Sequence, residues 1–338
     1  MVDLKAGRRP AFAFVKCAGQ DCRVGQPAGE LGLVSVQLDD LLVVGISSRA
    51  LFDLREEDRV FREQGLEAYR RYQLDNEERL LRPGSGFELV KAILRLNHPR
   101  GRRRAEVVIM SRNSTETSLR IFNSIDHYGL DIDRAVLSGG APLATYLHAF
   151  RVDLFLSQYE DDVATALEAG IGAAILYDRQ HQPSDEIQQI RIAFDGDATL
   201  FSDESEKIFQ DHGLEAFSRH EAEKARQPLS EGPFAGFLKS LSAIQRESPP
   251  GQSPIRTALV TARGRPAHER VIRTLLAWNV VIDEAFFLGG VQKTEFLTAF
   301  RPHIFFDDQP VHCERAAPAV ATGRVPFPTP VKAGRGLE

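Results

Sequence analysis

Two sets of matching segments, about 150 residues apart, constrain the fold of this 338-residue chain more than any other feature. GLEAYRRYQ at Gly65 matches GLEAFSRHE at Gly213, an offset of 148 positions. AVLSGGAPLATYLHAFRVDLFLSQ at Ala135 matches AFFLGGVQKTEFLTAFRPHIFFDD at Ala285, an offset of 150 positions. Landmarks that recur in the same order at nearly the same spacing indicate an internal repeat. We therefore predict a tandem duplication of one structural unit.

Within each copy, apolar runs alternate with segments of helical periodicity. The runs of the first copy are LLVVGI, AEVVIM, RAVLSGG, VDLFLS and GAAILY. Strands and helices that alternate in this way predict an α/β fold with parallel sheets covered by helices on both faces. The predicted organisation is an extension over residues 1–38, a first copy over 39–180, a second copy over 188–328 and a tail over 329–338.

The composition is that of an ordinary globular protein, with 43% hydrophobic and 26% charged residues and a formal net charge of −5. The one basic run, HPRGRRR at residues 98–104, is interpreted as a solvated loop, so no nucleic-acid partner is expected. Cys17, Cys22 and Cys313 do not suit a disulfide framework or a zinc site, which favours a cytoplasmic location. No apolar run approaches the ~20 residues that a membrane span needs, so no membrane association is expected.

In the second copy, reactive side chains lie at or after the ends of predicted strands. They are Asp195, Asp197, Thr261, Lys293, Asp307 and Asp308. Because the carboxyl ends of parallel strands lie at one edge of a sheet, where ligands bind, we expect these side chains to meet there. Carboxylate oxygens are ligands for Mg²⁺, and a lysine charge and a threonine hydroxyl suit phosphoryl oxygens. The sequence therefore predicts an Mg²⁺-dependent phosphoryl-transfer site.

Asp195 and Asp197 are separated by a single glycine, which permits a turn at the strand end. Asp195 can then attack phosphorus as a nucleophile, and Asp197 can protonate the leaving oxygen and later activate water. The predicted catalytic residues are Asp195, Asp197, Thr261 and Lys293, and the predicted metal ligands are Asp195, Asp197, Asp307 and Asp308. Which of Asp307 and Asp308 binds the metal directly is left open.

This ordered set resembles the four motifs of the haloacid dehalogenase superfamily of phosphotransferases: DGDAT at Asp195, the strand-end Thr261, Lys293, and the Asp307–Asp308 pair. More narrowly, SSRALFD, FDGDATLFSDESE, PIRTALVTAR and RPHIFFDDQ are similar to strings of the cytosolic type I 5′-nucleotidases, over residues 41–327. The resemblance implies a Rossmann-like unit. It also implies Mg²⁺-dependent hydrolysis of nucleoside 5′-monophosphates through an aspartyl-phosphate intermediate.

The resemblance further implies a small helical cap near residues 204–233, with some of its surface facing the base and ribose. We expect Phe209, Leu214 and Phe217 to pack this segment. Two alternative functions stay open. One is a phosphatase of the same superfamily that acts on another small phosphoester, and the other is a nucleotide-binding sensor with vestigial catalysis. The preferred base and the oligomeric state are not predicted.

The first copy lacks the reactive side chains of the second. The repeat offset places Ser47 at the position of Asp195 and Arg49 at the position of Asp197. The positions of Thr261, Lys293, Asp307 and Asp308 are taken by Ser111, Leu143, Ser157 and Gln158. We therefore predict that the first copy is not catalytic.

Two roles for the first copy are compatible with this loss. It can be a scaffold that packs against the second copy, or it can retain a phosphate-sized pocket that binds an effector nucleotide without metal. The candidate contacts to an effector or substrate are Ser47, Ser48, Arg49, Ser111 and, in the second copy, Arg263. The scaffold is the preferred interpretation, and the resemblance adds support to the second role, because it implies activation by nucleoside diphosphates.

Overall fold

The computed structural model of the chain describes residues 37–97, 102–179, 189–249 and 251–326. The described residues up to 179 are called the first half, and those from 189 the second half. Nearly all of the predicted N-terminal extension, the whole predicted tail, and Cys17 and Cys22 lie outside the described residues.

The first half alternates strands and helices. In chain order its elements are β1 (Leu42–Ile46), α1 (Ser48–Leu51), β2 (Phe52–Asp53), α2 (Arg55–Asp75), β3 (Arg82–Pro83), α3 (Phe87–Leu94), β4 (Ala105–Ser111), α4 (Leu119–His127), β5 (Arg134–Leu137), α5 (Ala144–Ala149), β6 (Leu154–Ser157), α6 (Glu160–Glu168) and β7 (Gly172–Leu176). A short 3₁₀ turn over Thr115–Thr117 precedes α4.

The second half follows the same alternation. Its elements are β8 (Ile190–Phe194), α7 (Glu204–Glu223), α8 (Ala235–Arg246), β9 (Ile255–Thr261), α9 (His268–Ala277), β10 (Glu284–Phe287), α10 (Thr294–Phe300), β11 (Ile304–Asp307), α11 (Pro310–Ala316) and β12 (Thr322–Arg324). Among the described residues, no helix is long and apolar enough to cross a membrane.

Ten strands form one sheet in the order β10-β9-β8-β11-β12-β7-β6-β1-β4-β5. Neighbouring strands pair in parallel within each half, and the halves join through an antiparallel pair in which Gly323 of β12 faces Leu176 of β7. Read outward from this join, the order is β7-β6-β1-β4-β5 in the first half and β12-β11-β8-β9-β10 in the second. The predicted α/β class with largely parallel strands is confirmed.

Four strands in the interior of the sheet, β1, β4, β6 and β11, are buried along their whole length. All five residues of β1, LVVGI, and all seven of β4, AEVVIMS, are buried. Continuous apolar runs of this kind suit strands that helices cover on both faces. One cluster of buried side chains includes residues of both halves, and one further cluster lies within each half.

Four phenylalanines pack beneath the edge of the second half where the strands end: Phe194, Phe234, Phe237 and Phe306. The Phe234 and Phe306 rings lie 4.7 Å apart between centroids. Phe194 and Phe306 are register partners on β8 and β11, and each directly precedes an aspartate. Truncating a buried phenylalanine typically costs about 3–5 kcal/mol, so these rings anchor the strand ends firmly.

Helices α2 and α7 are each interrupted by a glycine. Gly65 has φ 82° and Gly213 has φ 76°, conformations that favour glycine over any residue with a Cβ. The prediction that Leu214 packs the segment around α7 is wrong, because this residue is 67% exposed, and Phe209 is itself 45% exposed. Phe217 is partly buried and contacts the Phe209 ring edge-on.

His303, just before β11, gives the folded protein a pH-dependent stability. Its Nδ1 accepts a hydrogen bond from the backbone N–H of Arg191 at 3.0 Å. Burial lowers the pKa of His303 to about 4, and the charge of Arg95 acts in the same direction. A histidine whose pKa falls on folding stabilises the protein fully above its unfolded pKa of ~6.5 and loses that contribution as the pH falls toward 4.

We therefore expect His303→Asn, which keeps an acceptor for the Arg191 N–H, to reduce this pH dependence. Between pH 7 and 4.5 the wild-type free energy of unfolding should fall by about 2 kcal/mol more than that of the variant. Urea denaturation at the two pH values measures the difference. An equal fall in both proteins would contradict the assignment of this titration to His303.

Candidate active site

Three neighbouring strands of the second half deliver side chains to one edge of the sheet. Strand β8 lies between β9 and β11. Asp195 directly follows β8, Thr261 is the last residue of β9, and Asp307 is the last residue of β11. The Gly289–Gly290 turn has φ values of 56° and 92°, and it leads the chain from β10 to Lys293 at the start of α10. The parallel topology therefore gathers residues that are far apart in sequence.

Lys293 forms the central ion pairs of this edge. Its Nζ donates hydrogen bonds to Asp195 Oδ1 at 2.5 Å and to Asp307 Oδ2 at 2.6 Å. All three side chains are buried. Burial alone would lower the pKa of Lys293, but the charges of Asp195 and Asp307 raise it above its ordinary value. Lys293 is therefore a fixed positive charge between two carboxylates.

Three carboxylates lie around this lysine. One oxygen from each of Asp195, Asp307 and Asp308 lies within 4.8 Å of the others. Oδ1 of Asp308 is buried and has no hydrogen-bond partner among the described residues. Three hard oxygen donors, one of them buried and unpartnered, fit a divalent cation such as Mg²⁺. These three residues are called the carboxylate cluster.

A single lysine does not neutralise three carboxylates, and their pKa values diverge. Burial, and then the charges of Asp195 and Asp307, raise the pKa of Asp308 to about 9. Burial also raises the pKa of Asp195 to about 7, although Lys293 opposes that shift. Burial acts on Asp307 in the same sense, but Lys293 and His312 together lower its pKa. A bound cation would relieve the excess negative charge.

Asp197, which we also predicted as a metal ligand, lies outside the carboxylate cluster and turns toward Arg263. Residues Gly196–Leu200 form a turn that is closed by a hydrogen bond from the Phe201 N–H to the Gly196 carbonyl, and Ala198 within it has a left-handed φ of 53°. Arg263 donates from Nε to Asp197 Oδ2 at 2.7 Å and from Nη2 to Oδ1 at 2.6 Å. A Cβ at position 196 would lie 3.3 Å from the Thr261 hydroxyl oxygen, so glycine lets this turn pass close to β9.

Arg263 belongs to a buried network of charges. Its side chain is 2% exposed, and its Nη1 donates to Oε2 of Glu221, near the end of α7. The other oxygen of Glu221 accepts hydrogen bonds from Arg270 Nη1 and from Ser205 Oγ, both at 2.8 Å. The Phe217 ring centroid lies 5.4 Å from the guanidinium carbon of Arg263. These contacts join the turn after β8 to helices α7 and α9.

Sequence reasoning alone does not find Glu221 or Arg270. Charged residues in helices are usually solvated, and neither residue follows a predicted strand. One sequence signal does point to Arg270, because the 150-residue offset places Arg120 at the same position of the first copy. In the structure both arginines are buried against a glutamate, Glu57 in the case of Arg120.

The first-half edge has a different set of contacts. Ser48 Oγ and Ser111 Oγ lie 3.0 Å apart, and Ser47 caps the N-terminus of α1. Arg49 pairs with Asp58 at 2.6 Å. The residues predicted from the repeat offset therefore do lie together at the end of β1 and β4.

A cavity of about 450 Å³ opens beside these first-half residues. Its lining combines arginines, hydroxyls and aromatic rings, and includes Ser47, Ser48, Arg49, Phe61, Tyr69, Arg70, Ser111, Arg112, Asn113 and Tyr159. Nδ2 of Asn113 is buried there without a hydrogen-bond partner among the described residues. By contrast, the cavity that Lys293 lines in the second half measures about 80 Å³.

The fold and the second-half edge define a class of protein, a parallel α/β protein whose strand ends hold the carboxylates, lysine and hydroxyl that phosphoryl transfer uses. A family model described as 5′-nucleotidase matches residues 34–332. The chain belongs to the 5′-nucleotidase family. The resemblance found in the sequence motifs is thereby confirmed.

One curated relative is cytosolic 5′-nucleotidase 1B of Homo sapiens, which is 39% identical over 286 residues. The match covers 81% of this chain and 47% of that protein, so this chain spans about half of the relative's length. Among solved structures, histidinol dehydrogenase from Elizabethkingia anophelis gives a TM-score of 0.22 at 9% identity, over 66% of this chain and 46% of that chain. That likeness is too weak to bear on the fold.

The carboxylate cluster leads to a prediction about metal binding. Asp308→Asn removes a carboxyl group whose ionised form is disfavoured by burial and by the neighbouring carboxylates, so the metal-free variant should unfold at the same temperature as wild type or higher. Mg²⁺ should stabilise wild type, by about 3 kcal/mol at a hundred times its Kd, and the variant much less. Thermal unfolding over a Mg²⁺ titration measures both effects.

Asp211→Asn is the matched control, because Asp211 is an exposed acid in helix α7, outside the carboxylate cluster. Its response to Mg²⁺ should equal that of wild type. Equal Mg²⁺ stabilisation of wild type and Asp308→Asn would show that the ion binds elsewhere.

Proposed function

We propose that this chain hydrolyses nucleoside 5′-monophosphates to nucleoside and phosphate, with Mg²⁺ held by Asp195, Asp307 and Asp308. One observation carries the proposal: the buried Lys293 bridges two strand-end carboxylates beside a third, that of Asp308, whose buried Oδ1 has no hydrogen-bond partner among the described residues. Membership of the 5′-nucleotidase family and the similarity to a cytosolic 5′-nucleotidase support the substrate class and the expected cytoplasmic location.

Asp195 would be the nucleophile. Lys293 holds its Oδ1, which leaves Oδ2 to form the bond to phosphorus while the bond from phosphorus to the 5′-oxygen breaks. The Thr261 hydroxyl accepts the backbone N–H of Arg263, so its own proton can be donated to a phosphoryl oxygen. Bound at the carboxylate cluster, Mg²⁺ supplies positive charge that offsets the charge of the carboxylates and the phosphoryl group.

Asp197 would move the protons of the reaction. With substrate bound it would carry a proton taken from solvent, and it would give that proton to the departing 5′-oxygen. It would then take a proton from the water that attacks the aspartyl-phosphate, which frees phosphate and restores Asp195. Both oxygens of Asp197 accept hydrogen bonds from Arg263, so its position depends on that arginine.

We also propose that the chain is a tandem duplication of a Rossmann-like unit, with a catalytic copy over residues 188–328, a non-catalytic copy over 39–180 and a small cap near 204–233. The equal strand order of the two halves supports this, as do Gly65 and Gly213, which interrupt α2 and α7 with nearly equal φ. Helix α7, which includes the contacts of Phe217 and Glu221 to Arg263, occupies most of the proposed cap.

A substrate panel tests the function. Purified protein with Mg²⁺ should hydrolyse nucleoside 5′-monophosphates with higher kcat/KM than sugar phosphates, and Asp195→Asn should abolish both turnover and phosphate trapped on the enzyme. A large preference for a non-nucleotide ester would favour another phosphatase. Tight nucleotide binding without phosphate release would favour a sensor with vestigial catalysis.

A second candidate function concerns the first-half cavity, which we propose binds an effector nucleotide without metal. Its volume of about 450 Å³ lies within the ~300–1,000 Å³ of small-molecule sites. Arg49 offers a cation at the position where the second half has Asp197, and Nδ2 of Asn113 offers a donor that has no partner among the described residues. Arg49 already contacts Asp58 and Gln158, so the competing role is a structural ion pair within a scaffold.

Arg49→Ala separates these two roles. If the cavity binds an effector, a nucleoside di- or triphosphate should change the wild-type rate, and the variant should lose that response because the arginine no longer binds phosphate oxygens. Arg62→Ala is the matched control, since Arg62 pairs with the same Asp58 but is 70% exposed and does not line the cavity. The ratio of rates with and without effector is the measurement.

If Arg49→Ala only lowers thermal stability and wild type shows no nucleotide response, the first half is a scaffold. A raised KM for substrate in Arg49→Ala would instead mean that the first half contributes directly to the catalytic site.

A further inference from the structure

The guanidinium of Arg263 is enclosed by groups from two different segments. On one side, the turn after β8 supplies both carboxylate oxygens of Asp197. On the other side, α7 supplies the carboxylate of Glu221 and the ring of Phe217. Phe217 and Glu221 are four residues apart and therefore lie on one face of the helix, after the interruption at Gly213.

The charges of this network are balanced and shielded from water. Asp197 and Glu221 carry negative charge, and Arg263 and Arg270 carry positive charge. The side chains of Arg263, Arg270 and Glu221 are at most 2% exposed. In such surroundings an arginine held by two parallel hydrogen bonds fixes the orientation of its carboxylate partner. The position of Asp197 therefore depends on Arg263, and that of Arg263 depends on α7.

The first half offers an internal comparison. The repeat offsets place Arg49 at the position of Asp197, Asn113 at that of Arg263 and Gln73 at that of Glu221. The first half therefore has none of the three charged residues Asp197, Arg263 and Glu221 at the corresponding positions. The fourth charged residue of the network, Arg270, does have a counterpart, because Arg120 occupies its position in the first half.

This pattern separates two kinds of buried charge. Arg120 remains buried against Glu57 in a half without the catalytic aspartates, so an arginine at this position serves the fold. The charges at the positions of Arg263 and Glu221 occur only in the half that has Asp197. The first half has the same order of strands without these two charges, so the fold itself does not need them.

We propose that Arg263 and Glu221 are positioning residues for Asp197, so that the proton-transfer step depends on how the segment of α7 after Gly213 is seated. The inference rests on the proposed function, in which Asp197 protonates the leaving oxygen. Glu221 contacts Arg263 and not Asp197, so it acts on the reaction only through the arginine.

The test compares two leaving groups in the first turnover. A nucleoside leaves only with a proton, whereas p-nitrophenolate leaves without one. Glu221→Gln keeps the shape of the side chain and should slow nucleoside release by ~10–100-fold, less than the ~10²–10⁴ that a general acid contributes, while p-nitrophenolate release changes by less than about threefold. Rapid mixing with the best nucleoside monophosphate and with p-nitrophenyl phosphate measures both rates.

A double-mutant cycle with Asp197→Asn gives the second readout. If Glu221 acts through Asp197, adding Glu221→Gln to Asp197→Asn should cause no further loss, whereas independent effects would multiply. Arg263→Lys should restore part of the nucleoside rate lost in Arg263→Met. The Glu221→Gln variant keeps the test valid if Arg263→Met does not fold.

The matched control removes the buried pair of the first half. Arg120→Met combined with Glu57→Gln should lower stability without changing the ratio of the two leaving-group rates. Equal losses for both leaving groups in Glu221→Gln, or multiplied losses in the cycle, would overturn this inference alone. If Asp197→Asn slows nucleoside release and p-nitrophenolate release equally, Asp197 is not the acid, and this inference fails together with that part of the proposed function.

Discussion

Buried negative charge at the ends of β8 and β11 is the constraint on which the rest of the second half depends. Asp195 and Asp307 end neighbouring strands, and like charges this close in a weakly polarisable interior repel strongly. Lys293 bridges them, which requires the Gly289–Gly290 turn to carry the chain to that point. Oδ1 of Asp308 has no hydrogen-bond partner among the described residues, and Asp308 completes the three carboxylates that we propose hold a cation.

The first half shows how the same edge is built without that charge. Ser47 and Ser157 stand at the positions of the two strand-end aspartates, and Leu143 stands at the position of Lys293. Leu143 is buried in the apolar cluster of the first half. A buried lysine without carboxylate partners would be costly, so the three charges are present together or absent together.

A second set of charges is organised around Arg263, on the side of the edge that faces α7. It differs from Lys293 and the carboxylate cluster, because its two arginines match its two carboxylates in charge and no added cation is needed. Asp195 belongs to the carboxylate cluster and Asp197 pairs with Arg263, so two residues separated by a single glycine lie in different electrostatic environments. The proposed nucleophile and the proposed acid are therefore controlled by different neighbours.

The sequence by itself determined the α/β class, the two matching halves and the strand-end positions of Asp195, Thr261 and Asp307. These follow from local alternation of apolar runs and from a repeat, both of which are readable along the chain. The motifs were also specific enough to identify the family.

Only the tertiary structure decided which of these groups meet. It placed Asp308 with Asp195 and turned Asp197 toward Arg263, and it brought in Glu221 from a helix that sequence patterns mark as solvated. It also exposed Leu214, which we expected to be packed. The physical reason is that burial and ion pairing depend on distances in space. The order of the strands in the sheet and the position of α7 set those distances, and the spacing of residues along the chain does not reveal them.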